Sequence, residues 1–521
     1  MFARRFAQAG LSGAMRLNIH SIFSKTVMKK SIFAGLIAVW VLTVLSGCSK
    51  QSGNLYDCIS ADAMFVLSGS PAETFKNSGC KPASAGFEVS EAVEKLFTSL
   101  TGSEREAVVT FLDGSGIDFD RAVTVIDPAN SHLFITFMLD DEGNFRKWCE
   151  AREFSSRDSS GYTIYKTHGE VSIAVKNSQA WVILGYQKGK EADYIKSLYT
   201  AAEKAPLPEW IREKIDNAEA LGVSLNIGKY IEYVAARGLG AGTAALEGAM
   251  WQGYDTQAVM SGYFVYDCAF DGASARGKGS FYSADGEKLV NKAKIRPVNT
   301  SLLRYAAKDA AVAMISLPDS ADWYGTVDAL NQRLAKVGLG MDSHVATMTA
   351  SVLENIDHTV MISGNVTDIS TIYSVDGWNG TIAVDFREGK AYEFFEMIRS
   401  MADNLGFPSS TVGGDAFSFS IPNSGVTVYV KNDGNALVAS LSPTLPATAV
   451  PAFERPFDNM LGGMIIDITK ENPLAQFVSL PFGVNLTYTA TADEIKFDIS
   501  QTSTDGLLLA NFIEYFADRV R

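Results

Sequence analysis

The sequence predicts an α+β protein of two tandem similar units, each an antiparallel sheet with helices packed on one face. Short segments recur in the same order. Asp62–Leu67 is matched by Asp309–Met314, 247 positions later, and Ile135–Asp140 is matched at the same offset by Ile382–Arg387. These segments alternate apolar and polar residues, which is typical of half-buried strands in antiparallel sheets. Matches that keep their order indicate an internal duplication.

The correspondence continues into a hairpin and into the last third of each unit. Val171–Asn177 resembles Val426–Asn432 at an offset of 255, and a second alternating strand follows in each copy. The eight extra positions predict an insertion around Phe407–Gly414, where proline and glycine gather. Farther on, Leu221–Ile227 parallels Leu461–Asp467.

Residues 55–296 therefore form the first predicted unit and residues 302–521 the second, with the linker at Arg296–Thr300. Amphipathic periodicity, with Ser90 as a helix cap, predicts the helices. These helices are Ser90–Leu100, Glu104–Leu112, Phe145–Glu153, Ala192–Lys204, Gly286–Ala293, Trp323–Val337, His344–Leu353, Lys390–Asn404 and Leu507–Val520.

The first 47 residues are predicted to be a leader that contains a signal peptide. Lys29 and Lys30 precede the apolar run Ile32–Val44, which is too short to span a bilayer comfortably and ends in small residues. Since Met28 already opens a complete signal, we expect the protein to start there. The ending Leu45-Ser46-Gly47-Cys48 resembles the lipobox of bacterial lipoproteins. That resemblance implies that Cys48 becomes the first mature residue and carries the lipid, followed by a polar tether at 48–54.

The charge of the chain excludes two classes of partner. It carries 45 basic and 59 acidic residues, a formal net charge of −14, and the leader is basic. An acidic surface argues against nucleic acid and against a polybasic grip on anionic lipid. The predicted membrane attachment is therefore the N-terminal lipid.

Four cysteines follow the lipidation site. An even number in an exported chain permits disulfides, and Cys58 and Cys80, which flank the first predicted strand, are the expected pair. Cys149 and Cys268 have the alternative of being small buried apolar residues.

Searches for catalytic, cofactor and metal motifs identify no candidate residue. The histidines show no ligand spacing, and Gly238–Gly242 follows a predicted helix and lacks the lysine of a phosphate loop. The acids Asp140-Asp141-Glu142 are interpreted as turn residues between a strand and a helix. We therefore predict no catalytic residue, no metal and no cofactor.

Two kinds of surface site are predicted. Trp251, Tyr254 and Trp378 lie beside glycines in predicted loops, so they are candidate interface aromatics. Asp319-Ser320-Ala321 resembles the O-glycosylation site of Bacteroidota, which makes Ser320 a candidate acceptor.

The lipobox, the opening strand at Asp62 and the duplicated layout resemble a family of Bacteroidota lipoproteins of about 500 residues and unknown function. The resemblance, with Ser49 after the lipidated cysteine and no acidic run, implies an outer-membrane anchor facing the periplasm. Our hypothesis is a non-enzymatic binding or scaffolding module whose partner is an envelope protein or a glycan. The alternative is an envelope enzyme acting on glycans or peptides, with carboxylates from both repeats.

Overall fold

The fold comes from a computed structural model that describes residues 55–83, 86–95, 115–127, 132–166, 171–184, 189–236, 254–292, 295–306, 310–319, 322–336, 342–366, 378–422, 425–442, 457–469, 481–502, 504 and 506–520. These residues fall into two compact units. The N-terminal unit comprises the described parts of 55–236, 256–289 and 506–520, and the C-terminal unit those of 254–255 and 290–504.

The N-terminal unit contains a ten-stranded antiparallel sheet and a separate small hairpin. Its strands are β1 (Phe65–Gly69), β2 (Lys81–Ala83), β3 (Gly86–Glu88), β4 (Ile117–Asp127), β5 (His132–Leu139), β6 (Ser155–Ser159), β7 (Tyr162–Lys166), β8 (Val171–Lys176), β9 (Gln179–Leu184), β10 (Leu221–Asn226), β11 (Tyr263–Asp271) and β12 (Ser274–Tyr282). The sheet order is β12-β11-β10-β1-β4-β5-β9-β8-β7-β6, and β2 pairs with β3.

The C-terminal unit also contains a ten-stranded antiparallel sheet. Its strands are β13 (Ala311–Ser316), β14 (Ile356–Val366), β15 (Trp378–Phe386), β16 (Ser409–Gly413), β17 (Ala416–Ser420), β18 (Thr427–Asp433), β19 (Ala436–Ser440), β20 (Gly462–Ile468), β21 (Gly483–Ala490) and β22 (Ile495–Thr502). The sheet order is β22-β21-β20-β13-β14-β15-β19-β18-β17-β16.

Among the described residues, the α-helices of the N-terminal unit are α1 (Pro71–Asn77), α2 (Glu142–Glu150), α3 (Glu191–Lys204), α4 (Glu209–Asp216), α5 (Ile227–Ala236) and α6 (Thr256–Met260). The C-terminal unit contains α7 (Trp323–Lys336), α8 (Ser343–Asn355), α9 (Lys390–Asn404) and the 3₁₀ helix Thr300–Tyr305. The last helix, α10 (Leu508–Val520), belongs to the N-terminal unit.

Local chemistry accounts for the predicted hairpins and helix starts. Between β8 and β9, Asn177 and Ser178 have φ of 51° and 60°, the left-handed values that a tight two-residue hairpin turn requires. Asp141 is the N-cap of α2, and its carboxylate accepts from the backbone N–H of Asn144 at 2.9 Å. The structure thus supports the interpretation of Asp141 as a turn residue.

The prediction that helices pack on one face of each sheet was wrong. In β5, the neighbouring residues Phe134 and Ile135 point to opposite faces, yet both are buried, Phe134 in the core under α3 and Ile135 in the core over α2. In β19, Leu437 packs toward α9 and Val438 toward the 3₁₀ helix. Central strands that carry apolar residues on both faces require cover on both sides.

The C-terminal helix also differs from its predicted place. It was expected to end the second unit, but Leu509, Ile513 and Ala517 of α10 share a buried cluster with Phe75 of α1 and with Cys80. The two units are therefore not divided at a single position in the chain, since residues 506–520 complete the core of the N-terminal unit.

The predicted helix Gly286–Ala293 was wrong in its described part. Gly286 takes a left-handed φ of 90° against the ring of Trp210, and a bridge joins Lys288 to Tyr282. A left-handed residue and a strand bridge are both incompatible with a helix. Of the predicted helix Ser90–Leu100, residues 91–95 are helical, whereas Glu104–Leu112 lies outside the described residues.

The expected disulfide is not formed. The Cys58 thiol lies 3.5 Å from the indole nitrogen of Trp181 in one core, while the Cys80 thiol lies among Ser78 and Ser90 in another. All four described cysteines are free and buried. The alternative interpretation of Cys149 and Cys268 as buried residues is confirmed.

Candidate functional site

The candidate site is an apolar pocket in the C-terminal unit, between helices α8 and α9 and one face of the sheet. Its volume is about 270 Å³. The sheet contributes Phe386 of β15, Phe419 of β17 and Leu437 of β19, and α8 contributes Met348 and Val352. No lining residue is polar or charged.

Helix α9 supplies the opposite wall because its apolar residues recur every three or four positions. Phe394, Ile398, Met401 and Leu405 succeed one another along the side that lines the pocket, with Met397 and Ala402 beside them. The helix starts after Gly389, whose φ of 77° turns the chain out of β15. Phe394 stacks on Phe386 with ring centroids 4.8 Å apart, which fixes the helix against the sheet.

A longer chain between the strand and the hairpin creates this wall. In the N-terminal unit, 16 positions separate Leu139 at the end of β5 from Ser155 at the start of β6, whereas 23 separate Phe386 from Ser409 in the C-terminal unit. The additional residues extend the helix, since α2 has nine residues and α9 has fifteen. Relative to the N-terminal unit, the extra length therefore lies within α9, before the positions 407–414.

The pocket opens to solvent along the end of α9. Met401 and Leu405 line the pocket, yet 38% and 46% of their surfaces are exposed. The sheet also carries exposed apolar side chains, since Ile362 and Ile382 face each other across β14 and β15 and are 54% and 47% exposed. Large exposed apolar groups that are contiguous with a pocket are typical of a binding surface.

A polar cluster lies elsewhere in the C-terminal unit. Asp357, His358 and Asp385 bring their ligand atoms within 4.8 Å of one another. The guanidinium of Arg296 donates to both oxygens of Asp357 at 2.9 and 3.1 Å, and to Asp319 at 2.8 Å. These bonds hold the pKa of Asp357 below its ordinary value.

The hydrogen bonds of this cluster argue against a metal. Both carboxylate oxygens of Asp357 are taken, because Nδ1 of His358 also lies 2.9 Å from Oδ2. The Asp385 carboxylate accepts from Nδ2 of Asn299 at 2.7 Å. A cation would have to displace Arg296, which already pairs with Asp357 and Asp319, so these residues form an ion-pair network that joins the linker to β14.

The structure describes two of the predicted surface residues, Tyr254 and the backbone of Trp378. Cys48, Trp251 and Ser320 lie outside the described residues. Trp378 is the first residue of β15, opposite Val366, rather than a turn residue. Tyr254 is half-buried and donates to the carbonyl of Ala492 at 2.9 Å, so it holds the C-terminal unit together instead of standing free.

The buried thiols are poor nucleophiles. Burial raises the pKa of Cys58, Cys149 and Cys268 to about 12, so these side chains stay protonated at neutral pH. Burial likewise raises the pKa of Cys80.

One feature of the sequence indicates the pocket. Apolar residues continue past the end of α9, through Leu405 to Phe407, where a helix between a sheet and solvent would normally become polar. The three methionines Met348, Met397 and Met401 add flexible side chains that can adapt to a guest.

Comparisons with known proteins add little. No family model and no curated protein matches the chain. Crystal form I of TP0453 is similar at 10% sequence identity and a TM-score of 0.28, over 46% of this chain and 82% of that one. Crystal form IV of TP0453 gives 9% and 0.27, over 45% and 82%. Likeness at this level carries no argument about fold or function. No described helix has the length and apolar character needed to cross a bilayer.

Proposed function

We propose that the protein is a lipid-anchored, non-enzymatic binding protein of the cell envelope, held at the periplasmic face of the outer membrane, whose C-terminal unit binds a hydrocarbon chain. The observation that carries the ligand class is the pocket between α8, α9 and the sheet, whose lining is entirely apolar. A site without hydrogen-bonding groups cannot recognise a sugar or a peptide backbone.

The size of the pocket sets the length of the guest. Taking roughly 30 Å³ for a group of about the size of a water molecule, 270 Å³ holds about nine methylene-sized groups. At ~0.8 kcal/mol per buried methylene, full occupancy contributes at most about 7 kcal/mol before the cost of association, so the tightest dissociation constant expected is on the order of 10 μM. A single acyl chain meets this description.

Charge favours a guest with an uncharged or zwitterionic head group. Residues 290–504, which form most of the C-terminal unit, carry 23 acidic and 14 basic residues. A head group at the open end near Met401 and Leu405 therefore lies in a negative field, which disfavours fatty-acid anions and acidic lipids. Acylglycerols and lysophosphatidylcholine are the matching chemical classes.

The anchor rests on the lipobox-like ending Leu45-Ser46-Gly47-Cys48. If this ending acts as a lipobox, Cys48 becomes the first mature residue and carries the acyl chains that anchor the protein. The resemblance to Bacteroidota lipoproteins supports the outer membrane as the location.

We also propose that the two units are copies of one ancestral unit. The two sheets have the same strand order, with β13 in the place of β1, β14 and β15 in the places of β4 and β5, and β16 to β22 in the places of β6 to β12. In this view, the second copy acquired its ligand site when α9 was lengthened.

Binding of a polyene-labelled monoacylglycerol to the mature chain carrying Cys48→Ala tests the ligand class. We expect saturable binding with a dissociation constant no tighter than about 10 μM, weakened about tenfold in Met401→Lys, because the substitution places a charge at the mouth of the pocket. Tyr392→Lys is the matched control, since Tyr392 is an exposed apolar residue of the same helix that does not line the pocket. Equal affinities for the two variants would reject the site.

A further inference from the structure

A second apolar surface lies in the N-terminal unit, beside the point where the chain enters the fold. Of the large apolar side chains described in this unit, Tyr230 of α5 and Met260 of α6 are the two exposed ones, each at 37%. The helices that carry them are adjacent, because a Cβ atom at Gly228 would lie only 2.8 Å from the backbone oxygen of Met260. We call Tyr230 and Met260 the entry patch.

The entry patch is tied to the first described residues. Asn226, which precedes α5, and Tyr263, which begins β11, both donate to the carbonyl oxygen of Ala61, at 2.9 and 3.2 Å. Lys229 lies 3.5 Å from the carboxylate of Asp62. The ring of Tyr230 packs edge-on against Phe65, with centroids 6.5 Å apart.

The chain is fixed in the core immediately before this segment. Leu55 and Tyr56 are each 1% exposed. The Tyr56 hydroxyl donates to the carboxylate of Asp216 and lies 2.9 Å from Ser68 Oγ, and Arg121 donates to the same serine at 3.1 Å. The chain from Leu55 onward therefore cannot detach from the N-terminal unit without losing buried packing.

The remaining chain limits the distance from a bilayer. Cys48 precedes Leu55 by seven residues, which span at most ~25 Å when fully extended. If Cys48 carries the lipid, Leu55 stays within that distance of the head groups, and the segment Ala61–Asp62 follows it six to seven residues later. A tyrosine and a methionine exposed beside this early segment of the chain suit the apolar–polar boundary of a bilayer.

We infer that the entry patch of α5 and α6 rests on the bilayer surface and orients the N-terminal unit on the membrane. The inference rests on the lipid anchor at Cys48 in the proposed function. The occupant is the interfacial layer of a zwitterionic membrane, since Lys229 is paired with Asp62 and Glu232 and is the one basic residue in α5 and α6 as the structure describes them.

The test uses the full lipidated chain on phosphatidylcholine vesicles, with an environment-sensitive fluorophore on Tyr230→Cys or Met260→Cys. The other described cysteines are buried and do not compete for the label. Ser156→Cys is the control, because Ser156 is exposed on β6, seven strand spacings and roughly 30 Å from β10. We expect a blue shift and quenching by head-group nitroxides at 230 and 260, and neither at 156.

The outcomes separate the patch from the anchor. Water-like emission at 230 and 260 on protein that floats with the vesicles would overturn the patch and leave the anchor intact. Protein that does not float with the vesicles would overturn the anchor and, with it, the patch. Equal quenching at all three positions would show that the unit has no fixed orientation and would also overturn the inference.

Discussion

Phe386 and Phe394 stack with their ring centroids 4.8 Å apart, and both rings line the same apolar pocket. Phe386 ends β15 and Phe394 lies one turn into α9, so the contact sets the start of the helix against the sheet. The later turns, which carry Met397, Met401 and Leu405, extend beyond this fixed point and enclose the cavity.

Filling the pocket should abolish binding without unfolding the protein. In Ala402→Phe the new ring enters the cavity, because Ala402 is 3% exposed and lines it. Cavity filling commonly adds about 0.5–2 kcal/mol to the free energy of unfolding. We expect acyl-chain binding to be lost while the melting temperature is unchanged or higher, as measured by probe titration and calorimetry. Retained affinity in a stably folded variant would show that the guest binds elsewhere.

Truncating a buried side chain of α10 should destabilise the protein. Ile513 is 4% exposed in the cluster that also contains Phe75. Ile513→Ala removes buried methylene groups and leaves a cavity, which should cost about 2–4 kcal/mol in urea denaturation. The neighbouring Glu514→Ala is the matched control, since its side chain is 55% exposed and loses only an ion pair with Lys95 at 3.2 Å, and it should change stability by about 1 kcal/mol or less. Equal effects would contradict the packing of α10.

The Arg296–Asp357 pair should make stability depend on pH in acid. The pKa of Asp357 is lower in the folded than in the unfolded chain, so its contribution is complete above the unfolded value of about 4 and is lost as pH falls through the folded value. Because both side chains are more than a third exposed, the contribution is about 1 kcal/mol or less.

Urea denaturation at pH 7, 4 and 3 checks this sign. Arg296→Ala should lower the free energy of unfolding at pH 7 and flatten its fall between pH 4 and 3. Arg276→Ala is the control, since Arg276 is 61% exposed and 3.9 Å from Glu219. A steeper fall in Arg296→Ala would contradict the assigned pair.

Thiol titration tests the absence of the disulfide. In the mature chain with Cys48→Ala, none of the four buried thiols should react with an aromatic disulfide reagent under native conditions, because burial keeps them protonated and covered. All four should react in denaturant without reductant. Only two reactive thiols in denaturant would show that Cys58 and Cys80, or another pair, are oxidised.

The sequence was sufficient for most strands and for the longer helices. The helix Lys390–Asn404 was predicted at its observed bounds, and the hairpins at 171–184 and 427–440 follow from strict alternation and local turn chemistry. These features depend on residues close to one another in the chain, so that periodicity and capping determine them.

The pocket and the place of α10 could not be predicted because they depend on long-range packing. An apolar face at Leu509 and Ile513 must be covered, but periodicity does not say by which partner. Likewise, the eight extra residues that precede Val426, compared with the residues that precede Val171, could either form a loop or lengthen a helix, and their number does not decide between the two. The prediction of helices on one face has the same origin: Ile135–Asp140 is predicted as a strand that alternates apolar and polar residues, although Phe134 and Ile135 are both buried.

Photo-cross-linking tests the central claim most directly. The mature chain with Cys48→Ala is irradiated with a monoacylglycerol that carries a diazirine in a ten-carbon chain, and the labelled residues are identified by mass spectrometry. The account predicts labels on Met348, Met397, Met401 and Leu405 that are lost in Ala402→Phe. Labelling scattered over the surface, or unchanged by Ala402→Phe, would contradict a hydrocarbon-binding pocket beneath α9.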